Sequence, residues 1–311
     1  MIESQFLTKN GLAATEVARD LLRRKVGDRI PRISDYAQRL GTGNGTIQAA
    51  LKRLESSGAV KFETRGHLGS YIHEINYQRL WELSGWTFVV GTMPLPYSRR
   101  YEGFATGLYE AFSEAGIPFS LSYMRGAGER LKVLNNGNCD FVVLSCLAAE
   151  HALEKGEPIR IVANFGPWSY VGAHGVLLAD PEGPGEILDG MRVGIDPESI
   201  DQSLLTEAEC RGKSVQLTKV PYMQLVAKLQ SRAIDATIWN TDEIRDRRVP
   251  LRVEPLKQSE ARELERKNTE AVLVLASDRI GVTPVLTELI RFETVVRVQG
   301  EVLAGIRSPA Y

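Results

Sequence analysis

Three polar side chains near the N-terminus have a spacing suited to hydrogen bonding with a second molecule. Asn44, Gln48 and Lys52 follow one another at intervals of four residues, so a helix would place them in one exposed stripe. Asn and Gln amides can each make two hydrogen bonds to an adenine edge, and a lysine ammonium can pair with a phosphate. The stripe therefore predicts contacts to a nucleic acid rather than covalent catalysis.

Groups with a recognisable catalytic spacing are missing from the sequence. The four histidines, His67, His73, His151 and His174, are scattered, and none belongs to a metal-binding pattern such as H-E-x-x-H. There is no G-x-S-x-G elbow and no P-loop, and the GAG of residues 126–128 lacks the third glycine of a dinucleotide fingerprint. The sequence thus predicts no enzyme, no catalytic residue, no metal site and no cofactor.

The spacing of the cysteines and the hydropathy of the chain indicate the cellular compartment in which the protein is located. Cys139, Cys146 and Cys210 lack the paired spacing of a zinc site or a disulfide framework. Cys146 follows a predicted strand and could be a nucleophile, but a buried structural cysteine is the more common case. The first residues, MIESQFLTKNGLAATE, do not resemble a secretory signal, and no apolar run is long enough to span a bilayer. We expect a cytoplasmic protein without membrane contact.

Charge is distributed unevenly along the chain. Residues 1–75 contain 12 Lys and Arg against 8 Asp and Glu, a net charge of +4, whereas the remaining residues contain 26 against 31, a net charge of −5. The basic excess is confined to the smaller N-terminal part, which indicates a local polyanionic partner.

Residue spacing in the N-terminal part predicts three helices and a hairpin. Apolar residues recur at helical intervals over 12–22, Ser34 can cap a helix that runs to Leu40 before Gly41, and a third helix is expected over 44–56. Its inward side chains are Ile47, Leu51 and Leu54. Residues 59–72, AVKFETRGHLGSYI, alternate about a glycine-containing turn and predict a two-stranded hairpin.

This order of elements carries a family resemblance. The run ISDYAQRLGTGNGTIQAALKRLESSGAV, followed by TRGHLGSYI, resembles the winged helix-turn-helix of GntR-type regulators. Gly43 and Asn44 stand where that pattern has Ser and Arg, and Gln48 replaces a later Arg, so we expect lower affinity or dependence on dimerisation. Over essentially its full length the chain resembles the YhfZ family of bacterial DNA-binding regulators.

The resemblance implies a double-stranded DNA operator as partner and a homodimer as the binding species. The predicted hairpin is the wing of this motif, and Arg65 and His67 lie at its tip. These two side chains and the basic excess favour DNA as the partner, although similar domains also serve as dimerisation or protein-binding modules. The expected DNA contacts are Arg32, Ser34, Thr42, Asn44, Gly45, Thr46, Gln48, Lys52, Arg65 and His67.

From Trp86 onward, short apolar strands alternate with helical stretches, which predicts an α/β domain. The predicted strands are 87–91, 119–123, 140–145, 160–163, 171–179, 192–194, 215–219, 236–239 and 271–276.

An internal quasi-repeat is the most informative feature of this part. FSLSYMRGAGERLKVLNNGNCDFVVLSC matches VQLTKVPYMQLVAKLQSRAIDATIWNTD in kind, and Leu134 precedes Asp140 by the same six residues that separate Leu229 from Asp235. The repeat predicts two similar lobes.

Residues from Trp86 to Tyr311 resemble the type II periplasmic-binding-protein fold, in which a ligand lies in a cleft at strand carboxyl ends and helix amino ends. The resemblance implies a small polar effector, expected to be anionic because helix amino ends favour anions. A carboxylate or phosphate of that effector is expected to pair with Arg99 or Arg100. The expected cleft residues are Pro94, Tyr97, Ser98, Arg99, Arg100, Ser145, Asp196, Ser199, Asp201, Tyr222, Trp239 and Asn240.

The predicted fold is therefore multi-domain, α+β followed by α/β. A winged helix-turn-helix over residues 1–76 precedes a two-lobed type II periplasmic-binding-protein-like domain over 77–311, with lobe 1 at about 86–175 plus 271–311 and lobe 2 at about 176–270. The predicted function is effector-controlled transcription regulation. The alternative is a cytoplasmic binding-protein-like enzyme or ligand scavenger whose N-terminal domain only dimerises the chain; an exported transport receptor is disfavoured.

Overall fold

The structure is a computed structural model that describes residues 9–248, 250–278 and 282–311. Among these residues, those within 1–89, 112–119 and 278–291 form one compact unit, and those within 90–111, 120–277 and 292–311 form the other. No helix in the described part of the chain is long and apolar enough to cross a membrane.

The first unit contains three helices followed by a two-stranded hairpin and a fourth helix. Its elements are α1 (Lys9–Leu21), α2 (Ile33–Arg39), α3 (Asn44–Ser56), β1 (Val60–Thr64), a 3-10 turn (Gly66–Leu68), β2 (Ser70–Ile75) and α4 (Tyr77–Leu83). The strands β1 and β2 pair antiparallel. The three predicted helices and the hairpin are thereby confirmed.

Apolar side chains at helical spacing form the core of this unit. Val17 and Leu21 of α1 pack with Ile47 and Leu54 of α3, and all four are buried. A polar cluster fastens α2 to α1, because the Tyr36 hydroxyl donates to the Asp20 carboxylate at 2.6 Å. Hydrogen bonds from Arg24 and Tyr36 outweigh burial and lower the pKa of Asp20.

The start of α2 differs from the prediction. Ser34 was the expected cap, but α2 begins at Ile33, and Asp35 accepts the backbone N–H of Arg32 through its carboxylate at 3.2 Å. A carboxylate at this position reaches back to the helix start and takes over the capping role. Gly41, after the end of α2, has a φ of 60° that favours glycine, as the predicted turn requires.

The second unit contains two five-stranded mixed sheets. The elements of the lobe that contains the first sheet are β3 (Val89–Met93), α5 (Arg99–Glu114), β4 (Phe119–Tyr123), α6 (Ala127–Asn135), β5 (Phe141–Ser145), α7 (Cys146–Glu154), β6 (Ile159–Asn164), β12 (Ala271–Ala276) and α12 (Phe292–Leu303). This sheet has the strand order β4-β3-β5-β12-β6, in which β3 and β5 are parallel and β12 is antiparallel to both neighbours.

The elements of the lobe that contains the second sheet are β7 (His174–Leu178), β8 (Arg192–Ile195), α8 (Ile200–Glu209), β9 (Gln216–Lys219), α9 (Tyr222–Gln230), β10 (Ala236–Asn240), α10 (Thr241–Arg247), β11 (Arg252–Pro255) and α11 (Ser259–Asn268). This sheet has the strand order β11-β7-β10-β8-β9, with β8 parallel to β9 and β10 and with β7 antiparallel to β10. The chain enters this lobe after β6 and returns to the first sheet at β12.

The quasi-repeat has a matching physical basis in both lobes. Asp140 accepts the backbone N–H of Val90 through its carboxylate at 2.9 Å, and Asp235 accepts that of Arg192 at 2.8 Å. Each aspartate thus ties the entry of one strand to its parallel neighbour. Leu134 and Leu229 are fully buried beneath the corresponding sheets.

Two elements depart from the prediction. Strand β11 was not expected, because its short sequence RVEP ends in proline; it pairs only with β7 at the sheet edge, where proline is tolerated. From Thr283, the resemblance to the type II periplasmic-binding-protein fold implies a helix that returns to the first lobe. Instead, a π-helical turn (Val285–Leu289) lies within the first compact unit, and the extended Ile290 separates it from α12 in the second.

Close approach of α5 and α12 depends on glycine. A Cβ atom at Gly107 would lie 2.7 Å from the backbone of Val295. We expect Gly107→Ala to lower the free energy of unfolding by about 1–3 kcal/mol, because the helices must separate. The matched control is Gly300→Ala on α12, which has open space and should raise stability by about 0.5–1 kcal/mol. Urea denaturation measures both changes, and equal effects at the two glycines would contradict this packing.

Candidate effector site and DNA-binding surface

The exposed side of α3 carries the predicted polar stripe. Asn44, Gln48 and Lys52 are exposed, while the expected inward residues Ile47, Leu51 and Leu54 are buried. In the described chain, Lys52 has no carboxylate within ion-pair distance. Its ammonium is therefore available to an external phosphate.

The hairpin presents the two predicted wing-tip side chains at its turn. Arg65 and His67 are both exposed between β1 and β2. The Arg65 guanidinium is 2.7 Å from the Glu63 carboxylate and lies 4.7 Å above the Tyr71 ring. A phosphate would have to compete with Glu63 for this arginine. Because exposed ion pairs of this kind contribute little free energy, a phosphate could displace Glu63 at a small cost.

The other predicted DNA contacts lie at the helix starts of the same unit. Arg32 and Ser34 are exposed at the beginning of α2, and Gly45 is exposed in the first turn of α3. Thr42 and Thr46 are half-buried beside them. All ten predicted residues therefore belong to one compact unit.

A cavity lies between the two lobes of the second unit, with about 610 Å³ of empty space including its open mouth. The space within it that is accessible to a water-sized sphere measures about 70 Å³. Of the twelve predicted cleft residues, the structure brings seven to the cavity wall: Pro94, Tyr97, Asp196, Ser199, Asp201, Tyr222 and Asn240. The remaining five, Ser98, Arg99, Arg100, Ser145 and Trp239, do not line it.

The two arginines expected to bind an anion are engaged elsewhere. Arg100 donates through Nε to the Asp242 carboxylate at 2.9 Å and also to the carbonyl of Trp168. Arg99 donates to the Val302 carbonyl at 2.8 Å. Both side chains belong to α5, whose first turn directs them to α10 and α12 instead of the cavity.

The repeat partners Ser145 and Asn240 are helix caps. The Ser145 hydroxyl accepts the backbone N–H of Ala148 at 2.9 Å, and the Asn240 amide oxygen accepts that of Asp242 at 2.9 Å. Of the other two, Ser98 is buried, and Trp239 stacks on Tyr222 with the ring centroids 3.8 Å apart. Ser98, Ser145 and Trp239 therefore support the wall, whereas Asn240 caps α10 and also lines the cavity.

Arg130, a residue that the sequence analysis missed, supplies a buried cation at the cavity wall. It is only 3% exposed, and its two terminal nitrogens donate to the Met124 carbonyl at 2.8 Å and to the Tyr170 hydroxyl at 3.1 Å. Its Nε has no hydrogen-bond partner, and within the described residues no ion pair joins it to a carboxylate. Its hydrogen-bond partners are neutral, and the carboxylate of Asp201 interacts with its charge from beyond ion-pair distance. Burying a guanidinium without a close ion pair is costly.

The sequence contains a pattern that could have identified Arg130 as a buried functional residue. Arg130 lies at helical spacing with Ala127, Leu131 and Leu134, which form the buried face of α6. An arginine at a core position of an amphipathic helix is unusual unless it has an ionic partner.

The amino end of α6 lies at the same place. Gly126 is its N-cap residue and provides no side-chain cap, and Gly126 and Ala127 both line the cavity. The uncapped N–H groups and the helix dipole favour an anion there. Arg125, the next cation on this wall, is 3.4 Å from the Asp196 carboxylate.

Two ionisable side chains on the second lobe have altered proton affinity. Burial raises the pKa of Asp201, even though the Ser145 hydroxyl donates to its Oδ1 at 2.5 Å. Burial opposes a charge on His174, but the Glu265 carboxylate, 3.3 Å from Nδ1, outweighs this effect and raises the pKa of His174. Asp201 and Asp242 add to that negative field.

We expect the stability of the second unit to depend on pH through His174. Because its folded pKa is raised, the stabilisation is fully present below the ordinary histidine pKa of about 6.5 and is lost as pH rises through the folded value. The urea midpoint of the wild-type protein should thus fall from pH 6 towards pH 8, and the fall should be smaller in His174→Gln. His67→Gln, at the exposed wing tip, is the control. An unchanged slope in His174→Gln would contradict this assignment.

Fold and site together define a class: a helix-turn-helix domain joined to a mixed α/β domain with two lobes. Residues 25–72 match a helix-turn-helix domain family, and residues 76–311 match the YhfZ C-terminal domain family. The chain belongs to the YhfZ family.

Relatives and solved structures agree with this membership. The chain is 36% identical over 308 residues to the uncharacterized protein YhfZ of Escherichia coli (strain K12), covering 98% of this chain and 99% of that protein. The crystal structure of YhfZ from Shigella flexneri matches 75% of this chain and 97% of its own, with 32% identity and a TM-score of 0.62. The periplasmic VFT2 domain of Bordetella pertussis BvgS shares the fold, with a TM-score of 0.50, 14% identity, and coverage of 72% and 96%.

Proposed function

We propose that this protein is a cytoplasmic transcription regulator that acts as a homodimer on a double-stranded DNA operator. The α3 stripe and the wing would contact DNA in the GntR-like manner. A small anionic effector would bind between the lobes and change the affinity for the operator. The observation that carries the effector part is Arg130, a buried arginine at the cavity wall that has no carboxylate within ion-pair distance among the described residues.

An anionic ligand would supply the negative charge that Arg130 and the amino end of α6 lack within the protein. A carboxylate or phosphate in the cavity would face the Arg130 guanidinium charge and could accept from the uncapped N–H groups of α6. The low polarity of a buried site strengthens such a pair, provided that both charges are hydrogen bonded. Ligand binding would also favour the arrangement in which the two lobes lie against each other. The ion pair between Arg125 on the first lobe and Asp196 on the second already joins them at this cavity.

Non-enzymatic function is part of the proposal. Burial, followed by the nearby Glu150 carboxylate, raises the pKa of Cys146 to about 11, so this residue is a protonated thiol at neutral pH. The thiol also contacts the Glu150 carboxylate at 3.6 Å. This environment supports a structural role for the cysteine.

The proposal is tested by measuring whether a compound bound to the second unit changes the affinity of the protein for DNA. Small carboxylates and phosphates are first screened for a rise in melting temperature of the full-length protein. Fluorescence anisotropy with DNA from upstream of the protein's own coding sequence is then recorded with and without the most stabilising compound. We expect the apparent Kd to change by about fivefold or more. Stabilisation or turnover of the compound without any DNA preference would instead favour the scavenger or enzyme alternative.

A further inference from the structure

The interior of the cavity is small compared with its mouth. The space accessible to a water-sized sphere measures about 70 Å³, whereas the larger figure of about 610 Å³ includes the open mouth. A buried water needs about 10–15 Å³ of such space, so the interior holds about five to seven groups of that size. A molecule that fits inside without separating the lobes is therefore limited to about five to seven non-hydrogen atoms.

Direct contacts between the two lobes set this size. The Ser145 hydroxyl on the first lobe donates to the Asp201 carboxylate on the second at 2.5 Å. At the amino end of α6, a Cβ atom on Gly126 would lie 3.1 Å from the backbone oxygen of Glu198 on the second lobe. A larger molecule would have to break a charge-assisted hydrogen bond and separate two segments of backbone that already approach closely.

The carboxylates at the cavity wall on the second lobe have partners within the protein. Asp201 accepts from the Ser145 hydroxyl and also faces the positive charge of His174. Glu243 accepts from the Tyr222 hydroxyl at 3.3 Å. A second anionic group on the ligand would be repelled by both carboxylates. The cavity is therefore suited to a ligand with one charged group, the anion that the first lobe favours.

We infer that the effector is a compact oxyanion, either inorganic phosphate or a monocarboxylate of about five carbons or fewer, and this inference rests on the proposed function. Its charged group faces Arg130 and the amino end of α6. The rest of the molecule fills the interior between the lobes. A dicarboxylate would place its second charge against the carboxylates of the second lobe, and a long chain would force the lobes apart.

Isothermal titration calorimetry on the full-length protein with two series of anions tests the inference. The probes are the straight-chain monocarboxylates from acetate to octanoate, and inorganic phosphate with its methyl, butyl and hexyl esters. We expect octanoate and hexyl phosphate to bind about tenfold or more weakly than the best member of their series, because extra methylenes overpack a filled site. Without a size limit, each methylene would instead strengthen binding by about fourfold. The series with the tighter best member identifies the head group.

A variant that enlarges the interior assigns the size limit to the cavity. Leu95 is a partly exposed, apolar residue of the wall, and Leu95→Ala should lengthen the best-bound carboxylate by about one to three carbons. Leu188→Ala is the matched control, because Leu188 is exposed on the second lobe and does not line the cavity. It should leave the best chain length unchanged. The melting temperature without ligand reports whether each variant is folded.

Three results would overturn the inference. An unchanged best chain length in folded Leu95→Ala would place the size limit outside the cavity. Affinity that rises continuously to octanoate and hexyl phosphate in the wild-type protein would exclude a compact effector and leave the anionic effector standing. Binding by no member of either series would overturn the anionic effector as well, and the last two results need no variant to fold.

Discussion

Replacing both amides of the α3 stripe, Asn44→Ala with Gln48→Ala, is expected to weaken specific operator binding about 30-fold or more. Each amide can make a bidentate contact to adenine, and each such contact contributes about 1–3 kcal/mol of discrimination. Both side chains are exposed, so the folded unit should tolerate the change. Fluorescence anisotropy with operator and shuffled DNA measures the loss.

The salt dependence separates base contacts from phosphate contacts. Neither substitution removes a charge, so the slope of log Kd against log salt should stay unchanged. Gln78→Ala is the matched control, because Gln78 is an exposed amide on α4 in the same unit. Operator binding by the double variant at wild-type affinity would remove α3 as the reading helix.

The second large effect is expected at Arg130. Arg130→Met should weaken binding of the most stabilising anion by about a hundredfold or more, because removing one partner of a buried ion pair costs about 3–5 kcal/mol. Methionine fills a similar volume, so the cavity wall should persist. Calorimetry measures the affinity, and the melting temperature without ligand reports whether the variant is folded.

Arg99→Ala is the control that separates this site from the one expected from sequence. Arg99 donates to the Val302 carbonyl, outside the cavity wall, so its loss should change anion affinity by less than about threefold. A large loss in Arg99→Ala together with wild-type affinity in Arg130→Met would reverse the assignment and restore the sequence-based hypothesis.

Much of the fold was predictable because local patterns and the tertiary structure agree. Helix α3 begins at Asn44 and ends at Ser56 as the apolar spacing indicates, and β12 spans Ala271–Ala276 as its continuous apolar run indicates. The six-residue spacing from Leu134 to Asp140 and from Leu229 to Asp235 predicted the two lobes. In both lobes the aspartate has the same backbone contact.

The site was less predictable because the direction of a side chain depends on neighbours that are distant in sequence. Arg100 follows the expected strand, but Asp242, 142 residues later, draws its guanidinium away from the cavity. Arg130 was not singled out from the sequence, although it lies at a buried position of α6. His174 likewise reaches the cavity through a pairing with Glu265, 91 residues later in the chain.

The central claim, a DNA-binding regulator, is tested most directly by titrating the full-length protein against DNA from upstream of its own coding sequence. A shuffled fragment of equal length is the control, and the salt concentration is varied from about 50 to 200 mM. We predict binding at least about a thousandfold tighter to the natural fragment than to the shuffled one, weakening steeply as salt increases. Equal affinity for both fragments at every salt concentration would contradict the claim and reduce the N-terminal unit to an assembly module.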